Sequence, residues 1–121
     1  MAYHLTRRAF LQLIEIRERS LRDFGEQQTD RFIQAIYRDF ARAYEMSDRD
    51  DLRAERSAPF CRQPVGPSHF ALYHRFDNTI IIAAIFGQMM DVEAQVARLR
   101  TRLAKEIAQM RQTLPPQPSS Q

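Results

Sequence analysis

The sequence predicts an α+β fold in which an antiparallel pair of helices packs on a small, mostly antiparallel sheet. Three observations predict it: two successive segments of helical periodicity, two adjacent β-prone apolar runs, and a further helical segment at the end. The expected order is β-α-α-β-β-β followed by an extra C-terminal amphipathic helix. A chain of 121 residues, of which 44% are hydrophobic, is long enough for one such core.

The predicted strands His69–Phe76 and Thr79–Phe86 form the best-defined pair. Asp77 and Asn78 lie between them, and both residue types tolerate the positive φ of a type I′ hairpin turn. The second run is apolar almost throughout, which is typical of a strand buried on both faces. We therefore expect it inside the sheet, with covering layers on each side.

Alternation divides the first of these strands into two faces. One face is mainly apolar and includes His74, which we interpret as a core histidine. The other includes His69, Tyr73 and Arg75, and is the face on which we expect chemistry or recognition. The alternative for His69 and Tyr73 is a hydrogen-bonded structural pair at the edge of the sheet.

Two helices are predicted before the sheet, with Gly25 between them as a residue free to take positive φ. A short strand at Ala2–Leu5 and an N-cap at Thr6 precede the first helix, Arg7–Phe24; the second spans residues 26–44. The first helix has two neighbouring apolar stripes, so we expect it to contact both the sheet and the second helix. The stripes contain Ala9, Leu13, Ile16 and Phe24, and Phe10, Ile14 and Leu21.

Between the two helices and the predicted strand pair, we expect a mobile loop at Ser47–Ala58 and a short strand at Phe60–Val65. Cys61 is the only cysteine, and we interpret it as a small buried apolar side chain in a reducing compartment. The sequence has no secretory signal and no apolar run near the roughly 20 residues that span a bilayer. We expect a cytoplasmic protein that does not interact with membranes.

The segment Val92–Leu114 has a narrow apolar stripe at helical spacing, which resembles a coiled-coil seam. This helix either folds back on its own sheet or pairs with another chain, and Leu99 and Leu103 are its candidate contact residues. Two prolines end it, and residues 115–121 are expected to be a disordered tail. The predicted organisation is thus a domain at 1–91, the helix at 92–114 and the tail.

Arginine dominates the basic residues, because 17 of the 18 are arginine and the other is Lys105. Its planar group suits bidentate contacts to phosphate or carboxylate, which favours an acidic protein or a nucleic acid as partner. The alternative is a solvated basic surface without a partner.

Several short motifs lie between Tyr3 and Asp91. The most specific is a histidine followed by a bulky aliphatic residue, an aromatic residue, an arginine and an apolar residue, here His69, Leu72, Tyr73, Arg75 and Phe76. Others are Tyr3–Thr6, Gly25, the second-helix residues Phe32, Ile33, Ile36 and Phe40, and the pair Met90–Asp91. Together they resemble the RelE/ParE superfamily of small toxins from type II toxin–antitoxin systems, with the ParE-like branch closest. Gly87 and Met89 stand where that family commonly has histidine and arginine.

The resemblance implies a toxin that inhibits DNA gyrase by binding and is neutralised by a cognate antitoxin with a disordered, acidic, amphipathic tail. Arg62, Arg75 and the arginines of the two helices are then candidates for contacting an acidic partner. The resemblance implies no cofactor and no metal site, and for the ParE-like branch no direct contact with nucleic acid.

Two alternatives stay open. Members of the RelE-like branch cleave messenger RNA in the ribosome, and the candidate catalytic residues here are His69, Tyr73, Arg75 and Arg62. Residues 87–90 add no titratable or cationic group, so binding is preferred to catalysis. The second alternative is a relative without toxicity that serves as a binding or oligomerisation module through Val92–Leu114.

Overall fold

A computed structural model describes residues 3–46, 61–76, 79–87 and 90–113 of the chain. Within these residues the fold is α+β, as predicted. The elements in chain order are β1 (Tyr3–Leu5), α1 (Arg7–Phe24), α2 (Glu26–Met46), β2 (Cys61–Val65), β3 (His69–Phe76), β4 (Thr79–Gly87) and α3 (Val92–Thr113). The predicted loop at Ser47–Ala58, the turn residues Asp77 and Asn78, the tail and the side chain of Cys61 lie outside the described residues.

The four strands form one mixed sheet in the order β1-β4-β3-β2. β1 runs parallel to β4, and the other neighbours are antiparallel. Phe76 pairs with Thr79, so β3 and β4 are joined by two residues, as expected. β4 lies inside the sheet and every residue from Thr79 to Phe86 is buried, which confirms the predicted central strand.

A bulge interrupts the pairing of β3 with β4. Leu72 pairs with Ala84 and Tyr73 pairs with Ile82, which leaves Ala83 as the additional residue of β4. Strict alternation would place neighbours on opposite faces, but Ala83 and Ala84 both belong to the apolar cluster on the same side of the sheet. The uniformly apolar sequence of β4 gives no sign of this change in register.

The start of α1 covers the edge of β4 beyond the short strand β1. The Thr6 backbone N–H donates to the Ile82 carbonyl oxygen at 3.0 Å, and the Thr6 hydroxyl donates to the Ala83 carbonyl at 3.0 Å. The Ile85 N–H donates to Gln12 Oε1 at 2.8 Å. Side chains of α1 thus satisfy backbone groups that a longer β1 would otherwise pair. Thr6 also accepts from the Ala9 N–H, as the predicted N-cap.

The helical hairpin of α1 and α2 covers one face of the sheet. Its core contains Leu13, Ile36 and Phe40, packed on strand residues that include Tyr73 and Ile82. The predicted second stripe of α1 is not covered as expected. Phe10 is 50% exposed, Ile14 is 37% exposed, and Phe24 of the first stripe is 62% exposed. The expected contact of α1 with both the sheet and α2 is confirmed, but it does not extend to these three side chains.

The helix α3 covers the opposite face, so its stripe folds back on its own sheet. Val96, Leu103 and Ile107 are buried against residues of β3 and β4, and Leu99 is half-buried. A bidentate ion pair links this layer to α1: Arg8 Nε lies 2.9 Å from Glu106 Oε1, and Arg8 Nη2 lies 3.0 Å from Glu106 Oε2. Hydrogen bonding to Glu106 raises the pKa of Arg8. The sheet is thus enclosed between two helical layers.

Candidate functional site

A cleft opens where the connection between α1 and α2 lies beside the start of β3. Its volume is about 560 Å³. We call it the His69 cleft, and the residues that define it are Ile16, Arg19 and Phe24 of α1, Arg31 and Phe32 of α2, and His69 of β3. Three separate parts of the chain meet here, so the cleft exists only in the folded protein.

The connection between the helices is short and internally bonded. Gly25 has a φ of 83° and a ψ of 178°, a conformation that is almost restricted to glycine, and its N–H donates to the Leu21 carbonyl at 3.1 Å. The buried hydroxyl of Thr29 donates to Ser20 Oγ at 2.8 Å across the hairpin. This bond satisfies two polar groups inside the apolar layer and fixes the two helices beside the cleft.

The turn between β2 and β3 places His69 against α2. Gly66 has a φ of 61°, and its N–H donates to Asp39 Oδ2 at 2.8 Å. A Cβ atom at Gly66 would lie 3.1 Å from Ile36 Cγ1 and 3.2 Å from Phe32 Cε1. Glycine is therefore required twice here, by the backbone conformation and by the close approach of α2. The turn leads directly into the cleft through Pro67 and Ser68.

His69 is half-buried at the base of the cleft and packs on an aromatic ring. The centroids of its imidazole and the Phe32 ring are 5.8 Å apart, and Ser68 Oγ lies 3.3 Å from its Nδ1. Burial lowers the pKa of His69, and the positive charge of Arg19 lowers that pKa further. Both causes favour the neutral imidazole, in which one ring nitrogen is a donor and the other is an acceptor.

The other side chains that line the cleft are partly apolar and partly charged. Ile16, Phe24 and Phe32 supply apolar area, whereas Arg19 and Arg31 supply two cations and Asp23 supplies one carboxylate. Chemically, this lining suits a ligand that combines apolar groups with negative charge. An acidic amphipathic peptide segment has that composition.

The other predicted site residues do not gather around His69. Tyr73 shares its face of the sheet but is fully buried in the core under the helices. Arg75 lies six residues from His69 along the same strand, roughly 20 Å at the usual rise. The predicted group of His69, Tyr73 and Arg75 thus lies along one strand without forming one open site.

Arg62, His74, Leu99 and Leu103 belong to the other side of the sheet or to α3. Arg62 pairs in register with Leu72, whose side chain belongs to the cluster under α3, and its Nη2 lies 4.0 Å from Glu93 of that helix. His74, half-buried on the same face, pairs with Ile81. Leu103 is fully buried. Arg62 and Arg75 therefore face opposite sides of the sheet.

The sequence suggests the arginines of the two helices as candidates only as a group, and it does not single out Arg19 and Arg31. Both lie on helices, and only the packing of the hairpin against the β2–β3 turn brings them to His69. The sequence contains a partial signal, because Arg19 follows Ile16 by three residues and Arg31 adjoins Phe32.

Two further observations concern the described residues only. None of the helices within residues 3–46 and 90–113 is long and apolar enough to cross a membrane. In the described part of the chain, no three histidine, cysteine or acidic side chains are grouped as a metal ion would require.

Comparison of the chain with models of protein families finds no matching family, and comparison with curated proteins finds no similar protein. The function is therefore inferred from the residues and the geometry.

Proposed function

We propose that this protein is the toxin component of a type II toxin–antitoxin pair, of the ParE-like kind, and that it acts by binding a protein target through the His69 cleft. The observation on which this depends is that apolar side chains and the cations Arg19 and Arg31 line the same cleft. An acidic, amphipathic segment, of the target or of the antitoxin tail, is complementary to that surface in both polarity and charge.

Two features of the fold support the proposal. The order of strands and helices from β1 to β4 agrees with what the resemblance implies. The cleft also exposes an aromatic side chain, since Phe24 is 62% exposed in a cleft that Arg19 and Arg31 also line. Aromatic and arginine side chains are enriched in protein–protein interfaces.

DNA gyrase is the target that the resemblance suggests, and cytoplasmic action follows from that target. The test is regulated expression in a bacterial host, followed by a supercoiling assay with the purified protein and gyrase. We expect growth arrest, induction of the DNA damage response and loss of supercoiling. A host that grows normally while it accumulates folded protein contradicts the proposal.

A matched pair of variants assigns the effect to the cleft. Arg19→Glu with Arg31→Glu reverses two charges that line the cleft, and we expect it to abolish growth arrest. Arg17→Glu with Arg42→Glu reverses two exposed charges on the same two helices outside the cleft, and we expect toxicity to persist. Equal toxicity of all three proteins removes the cleft from the mechanism.

A RelE-like ribonuclease is the second candidate, and the electrostatics of His69 favour it. A neutral imidazole near two arginines can accept a proton from a 2′-hydroxyl while cations bind the phosphate. The test adds the purified protein to a translating extract and maps messenger RNA ends. Cleavage that His69→Ala abolishes supports this function, and intact transcripts remove it.

The alternative of an oligomerisation module requires that the apolar stripe of Val92–Leu114 is free to contact a second chain. Here Leu103 is fully buried against the sheet and Leu99 is half-buried, so the stripe is used within the chain. Sedimentation of the purified protein tests this alternative directly.

A further inference from the structure

The outer surface of α3 has a concentration of positive charge that the proposed function does not use. The chain has 18 basic and 15 acidic residues, of which five basic and two acidic ones lie in α3, leaving 13 of each sign elsewhere. The whole formal charge of +3 can therefore be attributed to this one helix. It lies outside the Tyr3–Asp91 span of the resemblance.

Three of these cations form a stripe along one side of the helix. Arg98, Arg102 and Lys105 are spaced by four and three residues, so they project in nearly the same direction. All three are exposed, and together with Arg8 they line an open hollow of about 710 Å³. Among the described residues, no carboxylate forms a salt bridge with these three side chains.

The partner that fits this stripe is a regular polyanion. Arg8 is already paired with Glu106, which leaves three cations spread over eight residues, or about 10 Å of helix. Phosphates of one DNA strand follow one another at about 3.4 Å along the duplex axis, so this length corresponds to about three phosphates. The apolar side chain in the hollow, Leu99, is half-buried, so an amphipathic segment finds little to bind.

We propose that the Arg98–Arg102–Lys105 stripe binds the phosphate backbone of duplex DNA. Arginine and lysine are the usual phosphate ligands, and the rigid helix holds them at a fixed spacing. The hollow has no aromatic residue on which the bases of a single strand would stack. The surface should bind without sequence preference, and it is independent of the proposed role of the His69 cleft.

The experiment is a fluorescence anisotropy titration of the full chain against a labelled duplex of about 20 base pairs, at several salt concentrations. Three phosphate contacts predict a slope near −2.7 in a plot of log K against log salt, or a roughly 40-fold loss of affinity between 50 and 200 mM. We expect the triple variant R98Q/R102Q/K105Q to bind at least about tenfold more weakly at the lowest salt, with a slope near zero.

The control is R17Q/R22Q/R42Q, which removes the same charge from exposed positions outside this hollow. It should retain most of the affinity and the slope. Equal loss in both variants overturns the proposal, because net charge alone would then explain binding. Tighter binding of the single strand, of an RNA duplex or of anionic vesicles than of duplex DNA also overturns it. Circular dichroism verifies that the variants stay folded.

Discussion

The helical hairpin covers its face of the sheet with two helices and leaves apolar side chains exposed, whereas α3 covers the opposite face alone and leaves cations exposed. On the hairpin side, Phe10 and Phe24 are at least half exposed although Phe40 is fully buried. On the α3 side, the apolar residues form a narrow stripe against the sheet, and the Arg98–Arg102–Lys105 stripe is exposed beside it.

This difference follows from how much apolar surface each layer has. The stripe of α3 is just wide enough to cover Leu72, Ala84 and Phe86, so its remaining surface is free to be charged. The stripes of α1 are wider than the sheet beneath can cover, and the excess remains at the surface. One face is thus suited to a partially apolar partner and the other to an anionic one.

The largest expected effect on stability comes from removing a large buried side chain from the core on either face of the sheet. Phe40→Ala should lower the free energy of unfolding by about 3–5 kcal/mol and Leu103→Ala by about 2–5 kcal/mol, because both side chains are fully buried. Urea unfolding followed by circular dichroism measures both. Phe10→Ala, at an exposed position of α1, is the control and should change stability by about 0.5 kcal/mol or less.

The Leu103 result decides whether α3 belongs to the core of the sheet. A loss of stability comparable to that of Phe40→Ala means that the two faces unfold as one unit. If Leu103→Ala leaves the unfolding curve unchanged, α3 is an appendage, and the comparison between two covering layers fails.

The next effect concerns the turn that positions His69. Gly66→Ala should cost about 2 kcal/mol, because it places a side chain at a φ of 61° and within 3.1 Å of Ile36. It should also displace the His69 imidazole resonances in NMR spectra. Gly25→Ala is the comparison: it strains the backbone by about 1–3 kcal/mol but has no atom within 4 Å of the new Cβ.

We expect Gly25→Ala to leave the contacts of His69 with Phe32 in place, although it lowers stability. Unchanged imidazole resonances in Gly66→Ala would mean that the turn does not position His69.

A smaller effect is expected from the ion pair that joins the two layers. Arg8 and Glu106 are each about one quarter exposed, at 25% and 27%, and their geometry is bidentate. A double-mutant cycle with Arg8→Met and Glu106→Gln should give a coupling energy of about 1 kcal/mol that decreases in high salt. A coupling energy of zero would show that apolar burial alone holds α3 to the sheet.

The elements of the fold were predictable because their periodicities are strong. Thr6, Gly25 and the apolar run of β4 mark boundaries that agree with the structure to within a few residues. The sequence left the partner of α3 open, because a narrow stripe suits a sheet and a second helix equally well. It also could not reveal the bulge at Ala83, since neighbouring residues of β4 are apolar on both faces.

The site was harder to predict than the fold. Strand alternation grouped His69 with Tyr73 and Arg75, but alternation gives only the face and not the depth, and Tyr73 is covered by the hairpin. The residues that do surround His69 come from helices far away in sequence. Their proximity depends on how the hairpin crosses the sheet, which local patterns do not determine.

The smallest expected effect, and the most specific test of the cleft, is the titration of His69. Its pKa should lie below the ordinary value of 6.5, because burial and then Arg19 disfavour the charged imidazole. Arg19→Gln should raise that pKa in an NMR titration, whereas Arg17→Gln should leave it unchanged. A His69 pKa at its ordinary value in the parent protein would mean that the cleft is open to water.

The same depression of the pKa predicts how stability depends on pH. Above pH 6.5 the imidazole is neutral in both the folded and unfolded states. Its contribution to the free energy of unfolding is then fully present. As the pH falls below 6.5 towards the lower folded-state pKa, the unfolded chain binds the proton first, so the free energy of unfolding decreases. His4 contributes with the same sign, since burial and then the amino terminus lower its pKa. His69→Gln should therefore reduce the slope of stability against pH in this range without removing it, and an unchanged slope would assign the whole dependence to other groups.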